Sequence, residues 1–149
     1  APWVKKNVYE LRKDARRFET WENSYALRAG LGEAIKYAED IGIDLIHERV
    51  QLLAKFNRDL LSEIKNIQLR DIGSEQCGII SFSIDEQNDP KEIVDQMSEA
   101  GFAIGLVGPE STLIDSERRK LPTLLRMAPH YYNTEDEIEK AVKQVSLLL

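Results

Sequence analysis

Arg126 is the side chain whose type and setting point most directly to chemistry. It interrupts an apolar run in LPTLLRMAPHYYNTEDEIEKAV, residues 121–142, and precedes a Pro-His-Tyr-Tyr-Asn segment. A guanidinium there offers a planar fork that matches a carboxylate. An arginine at the exposed end of a strand is the plainer alternative, and spacing alone favours it. The other candidates are weaker. His47 falls near a helix start, where a structural or surface histidine is the expected role. Cys77 opens an apolar strand, and a buried free cysteine behaves as a small hydrophobe. Gly30-Leu31-Gly32-Glu33 lies inside a helical pattern and does not make a phosphate cradle.

The whole chain narrows the classes of function. Its 149 residues suffice for one domain with a core. Twenty-six acids against 20 bases give a net charge of −6, which disfavours nucleic acid as a partner. Two basic groups, Lys13/Arg16/Arg17 and Arg118/Arg119/Lys120, read as solvated faces. One cysteine and two histidines provide no zinc spacing, so no metal is expected. A single cysteine also fits a reducing compartment, and a cytoplasmic location is the expectation. The apolar runs are far shorter than the ~20 residues of a membrane helix, so no membrane partner is expected. The chain starts at Ala1, which suggests a processed protein or a piece of a longer one.

Elements able to position Arg126 can be read along the chain. Residues 1–23 are expected to form an extended arm with at most a short strand, and residues 24–149 a single α+β domain. Ser24 is a plausible cap for a helix carrying Leu27, Leu31, Ala34, Ile35, Ala38 and Ile41, closed by Gly42. Gly30 and Gly32 inside it imply close packing against another element. Asp44 can cap a second helix with a stripe of Ile46, Val50, Leu53, Phe56, Leu60 and Ile64, leaving Arg49 and Arg58 outside. Alternation then predicts strands at 67–71 and 77–84. Asp89-Pro90-Lys91-Glu92 reads as a capping box opening a short helix that Gly101 ends. A strand follows at 102–107. GPESTLIDSERRKLP reads as a long loop, and 123–127 as a strand. Thr134-Glu135-Asp136-Glu137 is a second capping box before the last helix. The order arm-α-α-β-β-α-β-β-α argues for an α+β fold, with a mainly antiparallel sheet of three to four strands and helices on one face.

Several segments together resemble the class V aminotransferase and cysteine desulfurase family, pyridoxal-phosphate enzymes of fold type I. They are Arg17-Phe18-Glu19 before the first helix, GLGEAIKYAEDIGIDLIHERVQLLAKFNRDLL, GIISFSI, and Arg126 followed by Asn133-Thr134 and an acidic helix start. The resemblance implies that Arg126 grips the α-carboxylate of an amino-acid substrate. It implies a homodimeric full-length enzyme that binds pyridoxal 5'-phosphate. A threonine shortly after the Arg-Phe-Glu motif reaches the cofactor phosphate in many members. Thr20 is the weak counterpart here, with Glu22 an unfavourable neighbour for phosphate. Desulfurases that form a persulfide carry a mobile cysteine before the carboxylate arginine; this chain has Ser111 and Thr112 in that stretch, which disfavours that chemistry.

The family's cofactor lysine follows a histidine. Neither His47 nor His130 is followed by lysine. The resemblance therefore assigns the chain to the C-terminal small domain with a bridging helix, its N-terminal large domain lying elsewhere. By itself the chain is expected to hold no cofactor and to carry no catalytic residue. The rival reading is a free-standing α+β binding or interaction module without catalysis. A third is a small-molecule sensor, which would need a formed pocket near the Gly101 turn.

Overall fold

A computed structural model describes residues 1–19 and 22–149. The described residues divide into two compact units, Ala1–Ile41 and Gly42–Leu149.

The first unit begins with an antiparallel hairpin, β1 (Trp3–Lys5) and β2 (Val8–Tyr9). Asn7 turns it with a φ of 68°, a conformation asparagine tolerates better than most residues. The Trp3 and Tyr9 rings meet edge to face at 6.0 Å. A 3-10 turn, Ala15–Phe18, follows, capped by the Asp14 carboxylate. The described part of the expected arm up to Phe18 thus holds a hairpin and a turn. Helix α1 (Tyr25–Ile41) starts at Ser24, whose Oγ accepts from the Leu27 N–H. None of its residues is buried, and Leu27, Leu31 and Ile35 stay exposed. Within this unit nothing described lies within 4 Å of a Cβ added at Gly30 or Gly32, so the unit itself does not supply the close packing expected of them.

The second unit is built on α2 (Ile43–Ser62), β3 (Ile67–Leu69), β4 (Ile80–Ile84), α3 (Pro90–Glu99), β5 (Gly105–Val107), α4 (Leu113–Arg119), β6 (Leu124–Met127) and α5 (Glu135–Leu147). The sheet order is β3-β4-β6-β5, with every pairing antiparallel. The α+β class is therefore as expected, with four strands in this sheet. Alternation sends Ile80, Phe82, Leu125 and Met127 to one face. There they join Leu53 and Leu61 of α2, Ile93 and Met97 of α3, and Ile138, Val142 and Val145 of α5 in one apolar cluster.

Local chemistry explains the element ends. Asp89 accepts from the Lys91 N–H with Pro90 at the first helical position, although the reciprocal half of the expected capping box is not formed there. Gly42, with φ 102°, caps α2 in place of Asp44, which lies in the first turn. Thr134 and Glu137 form a complete reciprocal capping box at α5. The expected loop at 108–122 is instead a 3-10 turn, Pro109–Thr112, running into α4. Asp115 binds Arg118 at 2.7 Å and Arg119 at 2.9 Å, the i,i+3 and i,i+4 pairing that supports a short helix.

The buried stripe of α2 is rotated from the expected one. Leu53, Ala54, Asn57, Arg58 and Leu61 are its buried residues, while Phe56, Leu60 and Ile64 pack at the cluster's margin. This turns two polar side chains inward.

Candidate functional site

Arg126 occupies the middle of β6 on the face opposite the apolar cluster, and it is exposed. The register puts Ser81 of β4 directly across from it on one side and Gly105 of β5 on the other. Directly opposed residues on neighbouring strands hold their Cβ atoms about 4.5–5.5 Å apart, so the three form one cross-strand row. Arg126 leans along that row over β5. A Cβ built on Gly105 would stand 3.2 Å from Arg126 Nε and 3.5 Å from Nη2. A side chain at 105 would press on the guanidinium, and glycine leaves it room to lie flat.

Buried groups fix the other side of the row. Asp71 accepts the Ser81 N–H through Oδ1 at 3.0 Å and pairs through Oδ2 with Arg58 Nε at 2.8 Å. Arg58 also donates to the carbonyls of Cys77 and Ile79 at 2.9 and 2.8 Å. Both partners are largely buried, and the extra bonds satisfy donors that would otherwise make such a pair costly. Arg58, expected on a solvated face, is in fact the anchor of the segment entering β4. Cys77 lies in that segment and is exposed, so the inert core role expected of it is not observed.

The segment leaving β6 is tied down as firmly. Arg49 of α2 grips the Glu135 carboxylate with two N–H groups at 2.5 and 2.9 Å, and donates to the Asn133 carbonyl at 3.1 Å. The Arg49 guanidinium holds the Glu135 carboxyl down at a pKa of about 2. Asn133 Oδ1 accepts the His130 N–H at 2.9 Å. Glu137 accepts the Thr134 N–H at 2.8 Å, and this bond lowers its pKa. The Asn-Thr-x-x-Glu run therefore locks the turn between Arg126 and α5. Sequence reading placed Arg49 outside the α2 stripe and missed this part; the match between an arginine on α2 and the acidic α5 start was the available signal.

Arg126 is the sequence-derived candidate found in this setting. Thr20 lies outside the described residues. His47 is at the start of α2, and the His130 ring lies tilted against Tyr131 and Tyr132 at ring centroids of 4.7 and 5.3 Å. Among the described residues no three His, Cys, Asp or Glu side chains gather as a metal site. A pocket of about 810 Å³ at the β3/β4 end mixes Lys65, Arg70 and Lys120 with Asp85 and Glu86, and does not include Arg126. No helix among the described residues is long and apolar enough to cross a membrane.

A family model described as aminotransferase class-V matches residues 4–141. A probable cysteine desulfurase of Mycobacterium leprae is 26% identical over 129 residues, covering 87% of this chain and 21% of the relative. A cysteine desulfurase of Haloferax volcanii is 25% identical over 130 residues, 87% of this chain and 30% of its own length. The chain thus spans less than a third of these relatives. Among solved structures, the apo cysteine desulfurase of Thermococcus onnurineus superposes with a TM-score of 0.78 at 21% identity, over 99% of this chain and 36% of that one. A cysteine desulfurase of Escherichia coli gives 0.77 at 19%, over 99% and 39%. These two likenesses establish the fold.

Proposed function

Because the chain belongs to the aminotransferase class-V family, we propose that it is the C-terminal, substrate-binding part of a pyridoxal-phosphate enzyme acting on an amino acid, with Arg126 holding the substrate α-carboxylate. The observation that carries this reading is the Ser81–Arg126–Gly105 row. An exposed guanidinium lies on a braced sheet beside a glycine, where any side chain would crowd it. A charge-assisted pair to a carboxylate has the geometry and strength to orient a small substrate. Fixing the carboxylate fixes the direction of the bonds at the α-carbon, which is positioning catalysis.

The described residues do not fit a self-contained site for the cofactor. The row contributes one arginine, one serine and one glycine, and His47 and His130 are followed by Glu48 and Tyr131. The role of this chain is then to bind and orient substrate, while a large domain supplies the cofactor lysine. The share of each relative that the chain spans supports this division. The exposed apolar stripe of α1 is the surface we assign to the remainder of the enzyme, with homodimer formation as a further expectation. Ser111 and Thr112 favour amino-acid chemistry that does not pass sulfur through a cysteine of that turn.

The test is Arg126→Ala in the full-length enzyme. Loss of a charged hydrogen-bonded contact should raise KM by roughly 10- to 100-fold, and the cofactor absorbance should be unchanged. Unchanged KM and kcat would remove Arg126 from the substrate site.

A further inference from the structure

The helix-covered face of the sheet holds a second pocket, of about 370 Å³, beside the Gly101 turn. Phe102, Ile104, Met127 and Ile138 supply apolar wall, and Asn57 of α2 and Glu137 of α5 supply the polar groups. Arg126 points to the opposite face, so this pocket is separate from the row described above. Its size falls within the range of small-molecule sites, where apolar walls surround a few polar groups.

Asn57 is the unusual member. It is fully buried, yet neither its Nδ2 nor its Oδ1 has a hydrogen-bond partner among the described residues. Buried side-chain polar atoms are nearly always paired, and a whole carboxamide left over is rare. Replacement of Asn57 by leucine would fill the same space without that penalty. The polar choice in the middle of the buried α2 stripe therefore calls for a partner.

We propose that this pocket binds a small neutral ligand bearing an amide group, with the Asn57 carboxamide as its hydrogen-bond partner. A carboxamide presents a donor and an acceptor side by side, and another amide presents the complementary pair. The walls suit an apolar body on that ligand. The Glu137 carboxylate already accepts from Thr134 and Asn133, remains charged, and disfavours an anion. Asn57 is fully buried, so a ligand reaches it only as wall side chains shift, and Met127, which lines the same pocket, is unbranched and adaptable. Tyr132, 73% exposed, stands in the pocket wall and can close over the ligand's outer end.

The probe is benzamide, titrated into the isotopically labelled full chain, with benzoate as its anionic counterpart. The Asn57 side-chain amide and the Met127 methyl resonances are followed by NMR. Saturable shifts with benzamide are expected, with affinity at least about tenfold weaker for benzoate and in Asn57→Leu. Should Asn57→Leu fail to fold, nuclear Overhauser contacts between benzamide ring protons and the Asn57 amide in the unsubstituted chain decide the matter, and their absence counts against the site. Three results would overturn the proposal. One is no saturable shift. Another is equal affinity in Asn57→Leu. The third is an Asn57 amide in contact with an ordered water and indifferent to benzamide.

Discussion

Helices α1 and α2 carry similar apolar stripes in sequence and have opposite fates. In α2 the stripe meets β4 and α5, and Leu53 and Leu61 lose all contact with solvent. In α1 Leu27 remains 76% exposed and Leu31 61%. Periodicity therefore reports that a helix has an apolar side and not that its own unit supplies what covers it. In the second unit the partner strands and helices follow within the sequence. For α1 the stripe is assigned, as a proposal, to the rest of the enzyme.

The contrast makes predictions of decreasing size. Phe82→Ala, at the centre of the cluster, should cost about 3–5 kcal/mol, because it removes a fully buried ring and leaves a cavity. Thermal or denaturant unfolding checks this, and a loss below ~1 kcal/mol would mean that the second unit is not organised around β4. Arg49→Met should act through pH. Glu135 has its pKa lowered from 4.5 to about 2 in the folded chain by Arg49, so their pairing stabilises the fold above pH 4.5 and fades as pH falls towards 2. The melting temperature of the parent chain should fall across that window, and the part due to this pair should vanish in Arg49→Met. An unchanged profile would sever the link between α2 and the α5 start. Leu31→Ser should be nearly neutral for this chain, within about 0.5 kcal/mol, as for other exposed positions. The same change should weaken the full-length enzyme if α1 docks there. A large loss in the chain alone would erase the contrast between the helices.

Much of the fold was legible in the residues. The strand alternation at 80–84, the strand at 124–127, the Pro90 helix start and the Thr134 capping box are local signals, and the structure follows them. The misreadings share a cause. The residues of α4 read as a loop because the segment is largely polar, although the Asp115–Arg118/Arg119 pairs stabilise a short helix. Arg58 reads as outward because it is polar, and Asn57 carries no reading of its own. Arg58 is buried because Asp71 and the Cys77 and Ile79 carbonyls, far along the chain, satisfy it, whereas the buried Asn57 carboxamide has no such partner among the described residues. Gly105 carried no local signal. Its importance lies in the register that sets it beside Arg126. Arg126 stands out by type and setting, its substrate role comes from motif resemblance, and the row around it becomes visible only with strand pairing.

The central claim is that Arg126 reads a carboxylate. The most direct measurement compares substrate amino acid with its amide, which has the same shape and no charge, in parent enzyme and in Arg126→Ala. The account predicts that the parent prefers the carboxylate by roughly 10- to 100-fold in KM, the worth of one charged hydrogen-bonded contact, and that the variant treats the two alike. A preference that survives intact in Arg126→Ala would contradict it.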